Sequence, residues 1–312
     1  MFPVCTGCEK DVGSPLDKDA VPRSKTLEKI INLPYKTQQV KNDILLFLLS
    51  LIAFQVVELF VMFTITMSNE RMNLDAPVLY DSVLSRVPRH KQAGKYSEIL
   101  LFTYQIWFIS FLVFHKRRFV IARRCLAIQS ICFIFRIICV WSNVLPRSLD
   151  TMECSPKATG TTEIIRRILL LWSTAGLSIF GGHMCGNYFF SGHALMATII
   201  HRHLRHYMPD NWWLLHKLNT LVALSIATMI LFAHNHYTLD LIGSFIVGDW
   251  VFQLYMFLAE NKDVNSAEWF PVFWRPAVEF IEWEKERVEY AFGGLRELYQ
   301  FTRFASVVFF NR

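Results

Sequence analysis

The sequence predicts an all-α membrane protein, a six-transmembrane helix bundle with an additional interfacial or re-entrant helix. Three observations predict it. Six apolar runs recur along the chain, each close to the roughly 20 residues that a helix needs to cross a bilayer. Only 19% of the 312 residues are charged and 53% are hydrophobic, whereas soluble domains carry about 25% charged residues. Tryptophans and basic residues flank several of the runs, as anchors at a membrane interface do. The net charge of +6 fits basic residues facing a cytoplasmic leaflet, and no nucleic-acid partner is expected.

Residues 1–43 read as a basic, largely disordered cytoplasmic tail, because Pro3, Pro15, Pro22 and Pro34 interrupt any helix. The first forty residues lack the apolar core of a cleavable signal peptide. Cys5-x-x-Cys8 has no second pair nearby and reads as an S-acylation site or as no site, ahead of a metal site. A catalytic membrane domain is expected over 44–259. Its first span is 44–67 and contains Glu58, an intramembrane acid that must face the bundle, where a structural hydrogen bond is its plain role. Residues 68–97 form a polar loop. The second span is 98–115 and the third 125–145. Arg136 lies in the middle of the third and must face a partner or a polar cavity. A lipid phosphate and a structural pairing are both open for it.

The stretch 163–180 has a basic and an apolar face and ends at Gly181-Gly182, which suggests the interfacial or re-entrant helix. Spans four, five and six follow at 187–205, 212–234 and 237–259. Histidines 201, 203 and 206 read as a helix end facing headgroups rather than as metal ligands. Residues 260–312 read as an amphipathic cytoplasmic tail. Seven cysteines are an odd number and suggest no disulfide framework. Cys125, Cys132 and Cys139 recur every seven residues and read as small packing residues on one helix face.

Six spans leave both termini on one side. Lys116, Arg117, Arg118, Arg123, Arg124, Arg202 and Arg205 share that side with the basic tails, so the termini are expected in the cytoplasm. His193, His236 and Asp240 then fall at the opposite, lumenal or extracellular face. Asp240 follows His236 by four residues and shares its helical face. A carboxylate so placed orients an imidazole for attack on phosphorus, and a second histidine can donate and recover the proton of the departing and incoming oxygens. Ser191-Gly192 before His193 lets backbone approach a ligand. No metal and no cofactor is called for.

Ser191-Gly192-His193 and His236-x-x-x-Asp240 resemble the type 2 phosphatidic acid phosphatase superfamily. The chain resembles more closely the sphingomyelin synthase family, over about 44–280. Pro77-Val-Leu-Tyr-Asp81 is similar to the family's first motif. Arg123-Arg124, Gln129 and Arg136 through Leu145-Pro146 are similar to its second. Cys185-Gly186-Asn187 through Ser191-Gly192-His193 is similar to the third, and His236-Tyr237-Thr238-x-Asp240 to the fourth. The resemblance implies phosphocholine transfer from phosphatidylcholine to ceramide through a phospho-histidine, with diacylglycerol as co-product. It implies His236 as nucleophile, Asp240 as its partner and His193 as acid and base. Asp81, Arg136, Glu163, Asn187 and Ser191 are the implied substrate-binding residues, and the partners are membrane lipids. It implies a Golgi membrane, with plasma membrane or endoplasmic reticulum as alternatives, and leaves monomer and homo-oligomer open. Two positions depart from the family: Asn187 where aspartate is usual, and Ala194 where threonine is usual. Asn187 removes a charge near the headgroup path. Ethanolamine or inositol phosphate as headgroup, diacylglycerol as acceptor, and a non-catalytic lipid-binding protein are the rival readings. Met229-Ile230 stand where a lipid phosphate phosphatase carries Ser-Arg, which argues against that activity.

Overall fold

The computed structural model describes residues 37–152, 154–176, 184–260 and 282. Residues 41–312 form one compact unit. The expected tails at 1–43 and 260–312 fall almost wholly outside the described residues.

Seven helices are described, and no strand occurs among the described residues: α1 (Thr37–Arg71), α2 (Ala93–Phe114), α3 (Arg118–Ser142), α4 (Thr161–Ser173), α5 (Gly192–Tyr207), α6 (Trp213–Ala233) and α7 (Thr238–Glu260). Five of them, α1, α2, α3, α6 and α7, are long and apolar enough to cross a membrane. The chain is a multi-pass, all-α membrane protein. Its surface confirms the solvent for which it is built. Ile52, Phe60, Ile106, Leu221, Ile246 and Trp250 are exposed, while Arg123, Arg124, Arg136, Asn219 and Ser244 are buried. Lipid solvates the first set, and only internal partners can satisfy the second.

The fourth expected span is shorter than predicted. Helix α5 has 16 residues, or about 24 Å of rise, and begins at Gly192 rather than 187. Arg136 holds the preceding stretch out of the helix. Its Nε donates to the Phe190 carbonyl at 2.8 Å and its Nη2 to the Asn187 carbonyl at 3.1 Å. Ser191 then caps α5, its side-chain oxygen accepting from the Ala194 N–H. Despite its length α5 runs from one end of the bundle to the other, packed against α6 and α7. Gly248 of α7 allows this approach, since a Cβ there would lie 3.1 Å from Thr198 and 3.2 Å from Leu195. Asn219 of α6 ties the layer to α2 and α5. It accepts from the Tyr104 hydroxyl and donates to the His201 carbonyl.

Helix α4 also ends early, at Ser173. Ala175 and Gly176 turn left-handed, and the Gly176 N–H donates to the Leu171 carbonyl at 2.8 Å, closing the helix end.

Polar contacts define the two ends of the bundle. At one end α3, α5 and α7 meet in a buried charge cluster. Arg124 donates to Glu282 through Nε (3.0 Å) and Nη2 (2.9 Å), and to the Tyr207 hydroxyl through Nη1. Arg123 pairs with Asp43 at 2.9 Å, and the Tyr255 hydroxyl donates to Glu282 at 3.0 Å. Arg123 and Arg124 were expected to face the leaflet as part of a basic arm. They are instead buried and neutralised by Asp43 and Glu282, because a guanidinium removed from water requires an acidic partner.

At the other end the loops are stitched to α1. Asn69 donates to the Ser155 carbonyl and accepts from the Cys185 N–H, while Ser68 donates to the Cys185 carbonyl. Cys154 and Cys185 form a disulfide there, contrary to the expectation drawn from the odd cysteine count. Cys125, Cys132 and Cys139 stay free, and the first two are buried. The bridge closes a loop with a sequence separation of 31 residues, a constraint that stabilises by about 3–4 kcal/mol through the unfolded chain. Cys154→Ser or Cys185→Ser is expected to lower the thermal midpoint of the purified protein, and reductant should then have little further effect. An unchanged midpoint in either variant would count against the bridge.

Candidate active site

Three short segments build the site at the disulfide-bearing end: residues 184–193, the turn between α6 and α7, and the loop after α1. They are fastened to one another by backbone-directed bonds. The Ser244 hydroxyl donates to the Asp240 carbonyl at 2.7 Å and to the Ser191 carbonyl at 2.9 Å. The start of α5 is thus held against the start of α7. Gly186 makes the approach to α1 possible. It has φ +83°, and a Cβ on it would lie 2.8 Å from the Ser68 carbonyl oxygen. At Gly192 a Cβ would meet the Arg136 guanidinium, at 3.6 Å, which is ordinary van der Waals contact.

His236 stands just before α7. Its Nδ1 is 3.2 Å from the Tyr188 carbonyl oxygen and 3.5 Å from Asp240 Oδ2. A carbonyl can only accept, so Nδ1 is the donor, and in the neutral ring the lone pair is then on Nε2. Asp240 is almost fully buried, and its Oδ2 also accepts from the Tyr237 N–H at 2.9 Å. The aspartate therefore both caps α7 and backs the imidazole.

Asp81 supports this arrangement from behind. It accepts from the Thr238 N–H (2.7 Å) and hydroxyl (2.9 Å), and from the N–H groups of Val83 and Leu84. Burial pushes its pKa up, but hydrogen bonds from Thr238, Leu84 and Val83 outweigh it and hold the carboxyl below its ordinary value. Its hold on α7 is accordingly present above the ordinary carboxylate range and lost as pH falls through the lowered value. Tyr237 adds a second clamp, donating to the Arg147 carbonyl at 2.8 Å.

His193 lies in the first turn of α5. With His236, Asn187 and Arg136 it lines a cavity of about 770 Å³ that extends between α1, α2 and α3. Apolar side chains, among them Phe54, Phe102 and Phe133, form much of its wall, and Glu58, Glu98 and Gln129 interrupt them. That volume lies within the roughly 300–1,000 Å³ common for small-molecule sites. Imidazoles at one end and an apolar wall leading between the helices suit a ligand with a polar head and hydrocarbon tails.

Of the residues expected at the site, His193, His236, Asn187 and Arg136 line the cavity, and Asp240, Ser191 and Asp81 stand behind it. Glu163 does not line it. Its carboxylate is held by Arg166 and Arg167 of its own helix, each at 2.8 Å. These two partners draw its pKa down to about 2. Two contributors escaped the sequence reading. One is the Tyr188 carbonyl, a backbone group with no sequence signature. The other is Glu98, whose Oε1 is 3.9 Å from His193 Nε2. The apolar run of the sequence begins at Glu98. The helix begins at Ala93, which carries the acid inside.

Residues 184–257 match the family model described as PAP2 superfamily C-terminal, a span that contains both histidines and Asp240. Over 204 residues, 63% of this chain, the protein is 31% identical to Sphingomyelin synthase-related protein 1 of Mus musculus, covering 42% of that relative. Over 211 residues, 64% of this chain, it is 30% identical to Phosphatidylcholine:ceramide cholinephosphotransferase 2 of Rattus norvegicus, covering 58% of it. The chain is similar in sequence to both of these proteins. A further match, at 33% identity over 52% of this chain, is Phosphatidylcholine:ceramide cholinephosphotransferase 1 of Homo sapiens, of which 40% is covered. The chain thus spans about half the length of the proteins it matches.

Proposed function

We propose that this protein transfers phosphocholine from phosphatidylcholine to ceramide, releasing diacylglycerol and forming sphingomyelin, through a phospho-histidine on His236. The observation that carries the proposal is the state of His236. The Tyr188 carbonyl and Asp240 occupy Nδ1, so Nε2 is the nucleophilic nitrogen, in a cavity with an apolar wall. The names of the relatives supply the donor and the acceptor.

In the first half-reaction Nε2 attacks phosphorus and the bond to the diacylglycerol oxygen breaks. His193 protonates that oxygen. In the second half His193 takes the proton of the ceramide primary hydroxyl, whose oxygen displaces the histidine. Asp240 stabilises the charge that His236 acquires. Arg136, Asn187 and Ser191 hold the loop that carries the phosphoryl end, and Asp81 holds the start of α7. Glu163 is proposed as a substrate contact only at the edge of the site, since its carboxylate is engaged elsewhere.

The termini are proposed to be cytoplasmic and the site lumenal or extracellular, in the Golgi membrane. Lys116, Arg117 and Arg118 lie at the end opposite the site and favour that orientation. A disulfide beside the site suits an oxidising compartment. The domain proposal stays at 44–259 for catalysis, with 1–43 and 260–312 as cytoplasmic flanks.

Incubating the purified full chain with fluorescent ceramide and a series of defined glycerophospholipids tests the reading. A product with the mobility of a phosphocholine sphingolipid is expected. No product from any donor, with well-folded protein, would sink the transferase. A product only from phosphatidylethanolamine would favour the rival headgroup, for which Asn187 is the specific reason. Asn187→Asp is expected to raise the ratio of choline to ethanolamine product severalfold. An unchanged ratio would make this position neutral.

A further inference from the structure

We infer that Glu58 recognises the lipid acceptor: its carboxyl group receives the amide N–H and the secondary hydroxyl of ceramide, and so selects a sphingoid acceptor over diacylglycerol. The inference deepens the reaction proposed above and rests on the acceptor named there. Glu58 lies in the middle of α1 and is 8% exposed. A structural hydrogen bond would be its plain role, yet its carboxyl group makes no hydrogen bond and no ion pair among the described residues. It lines the cavity instead. A carboxyl group without a partner in an apolar wall is costly, and an acid within a membrane span is a mark of function unless a structural partner accounts for it.

Two ring stacks fix its height. Helices α1 and α3 run side by side in the same direction, from the Asp43–Arg123 pair at one end to the stack of Phe63 on Trp141, 6.1 Å between centroids, toward the other. Between these, Phe54 stacks on Phe133 at 6.0 Å. Glu58 follows Phe54 by four residues and Arg136 follows Phe133 by three, so both lie about one helical turn closer to the site than that stack. Arg136 in turn marks the start of α5. Its guanidinium carbon is 3.6 Å from where a Cβ on Gly192 would lie, and His193 is the next residue. The α1 wall therefore presents an unpartnered carboxyl group at the height of the first turn of α5. Its polar neighbours on the wall are engaged. Arg136 Nε and Nη2 hold the Phe190 and Asn187 carbonyls. Gln55 accepts from the Trp172 indole N–H at 3.1 Å, and the Ser173 and Thr174 hydroxyls each donate to the Leu170 carbonyl at 2.9 Å. Gln129 donates to Cys125 Sγ at 3.6 Å and lies about two turns of α3 further from the site than Arg136.

The two lipid backbones differ in the property that Glu58 can read. In ceramide the carbon next to the primary hydroxyl carries an amide N–H, and the carbon after it a secondary hydroxyl. In diacylglycerol the same two positions carry ester oxygens, which accept and cannot donate. A carboxyl group offers acceptor oxygens to both ceramide donors at once. Against a pair of esters the ionised group meets only lone pairs and stays unsatisfied. Both ceramide donors lie within a few ångströms of the oxygen that attacks phosphorus, which matches the height of Glu58 beside the start of α5. The same selectivity helps diacylglycerol to leave and ceramide to replace it between the two half-reactions. Phosphatidylcholine presents esters as well, and depends on its headgroup for binding.

The test is a binding measurement on the purified full chain in detergent micelles. The probes are fluorescent ceramide, fluorescent diacylglycerol with the same acyl chain, and a fluorescent ceramide analogue lacking the secondary hydroxyl. The wild type is expected to bind ceramide about tenfold more tightly than diacylglycerol. Glu58→Leu should weaken ceramide binding by about tenfold, leave diacylglycerol within about twofold, and cost the analogue less than it costs ceramide. Glu58→Gln keeps one acceptor oxygen and should be intermediate. The thermal midpoint of Glu58→Leu should hold or rise, because an unpartnered buried carboxyl group gives way to an apolar side chain. In the transfer assay the ceramide KM of Glu58→Leu should rise about tenfold, with kcat within about twofold. Equal binding of the two lipids by the wild type, or equal losses for both in Glu58→Leu, would overturn the assignment. A midpoint that falls by several degrees would give Glu58 a structural role and overturn it as well. Selective, Glu58-dependent binding without any transfer would leave this inference standing and remove the reaction. Transfer with an unchanged ceramide KM in Glu58→Leu would do the reverse.

Discussion

His236→Ala is expected to lower headgroup transfer by about 10⁴-fold or more, because it removes the only atom proposed to bond phosphorus. Asp240→Asn should follow with a loss of about 10³–10⁴-fold, the scale seen when the carboxylate behind a catalytic imidazole becomes an amide. The geometry explains why the second loss should be smaller. Nδ1 of His236 keeps its contact with the Tyr188 carbonyl at 3.2 Å when Asp240 changes, so the tautomer is partly retained. What is lost is the charge that stabilises the imidazolium-like state. Product formation from fluorescent ceramide checks both variants, with gel-filtration profiles to show that they fold. Near-normal turnover in either would refute the assigned roles.

Arg136→Leu is expected to lower stability and activity together. The buried guanidinium donates to the carbonyls of Phe190 and Asn187, at 2.8 and 3.1 Å. Charge-assisted hydrogen bonds contribute about 1.5–3 kcal/mol each, so about 3–6 kcal/mol is at stake. The thermal midpoint should fall by about 10 °C for a chain of this size. Activity should fall with it, because Tyr188, whose carbonyl orients His236, lies between the two carbonyls that Arg136 holds. Arg136→Lys keeps the charge but lacks the planar fork that reaches both oxygens, and should be intermediate. The sequence left a phosphate contact and a structural pairing open at this position. A normal midpoint with lost activity in Arg136→Leu would favour the phosphate contact, and the coupled loss expected here favours the structural one.

Much of the site was legible in the sequence for a local reason. His236 and Asp240 are four residues apart across the start of one helix, so their alignment needs only helical geometry. His193 follows Ser191 at a helix start, and the cap makes that start readable. The apolar runs announced six spans, and five of them are described helices long and apolar enough to cross a membrane, because hydrocarbon requires a long uninterrupted stretch. The fourth run misled in its boundary: Asn187, Tyr188, Phe189 and Phe190 are apolar enough to extend it, yet Arg136 of α3 holds them out of the helix. The basic pair Arg123-Arg124 misled similarly, since its partners Asp43 and Glu282 are distant in sequence.

By itself, then, the sequence determined the class of the protein and five of its membrane-capable helices, and it named the two histidines and the aspartate as candidates. The tertiary structure decided what surrounds them. It paired Cys154 with Cys185, moved Asp81 from the cavity to the cap of α7, and turned Glu163 toward Arg166 and Arg167. It brought Glu98 to His193 and the Tyr188 carbonyl to His236. The physical reason is range. Hydropathy and helix periodicity act over a few residues, whereas an ion pair, a disulfide or a carbonyl contact depends on the packing of helices far apart in the chain.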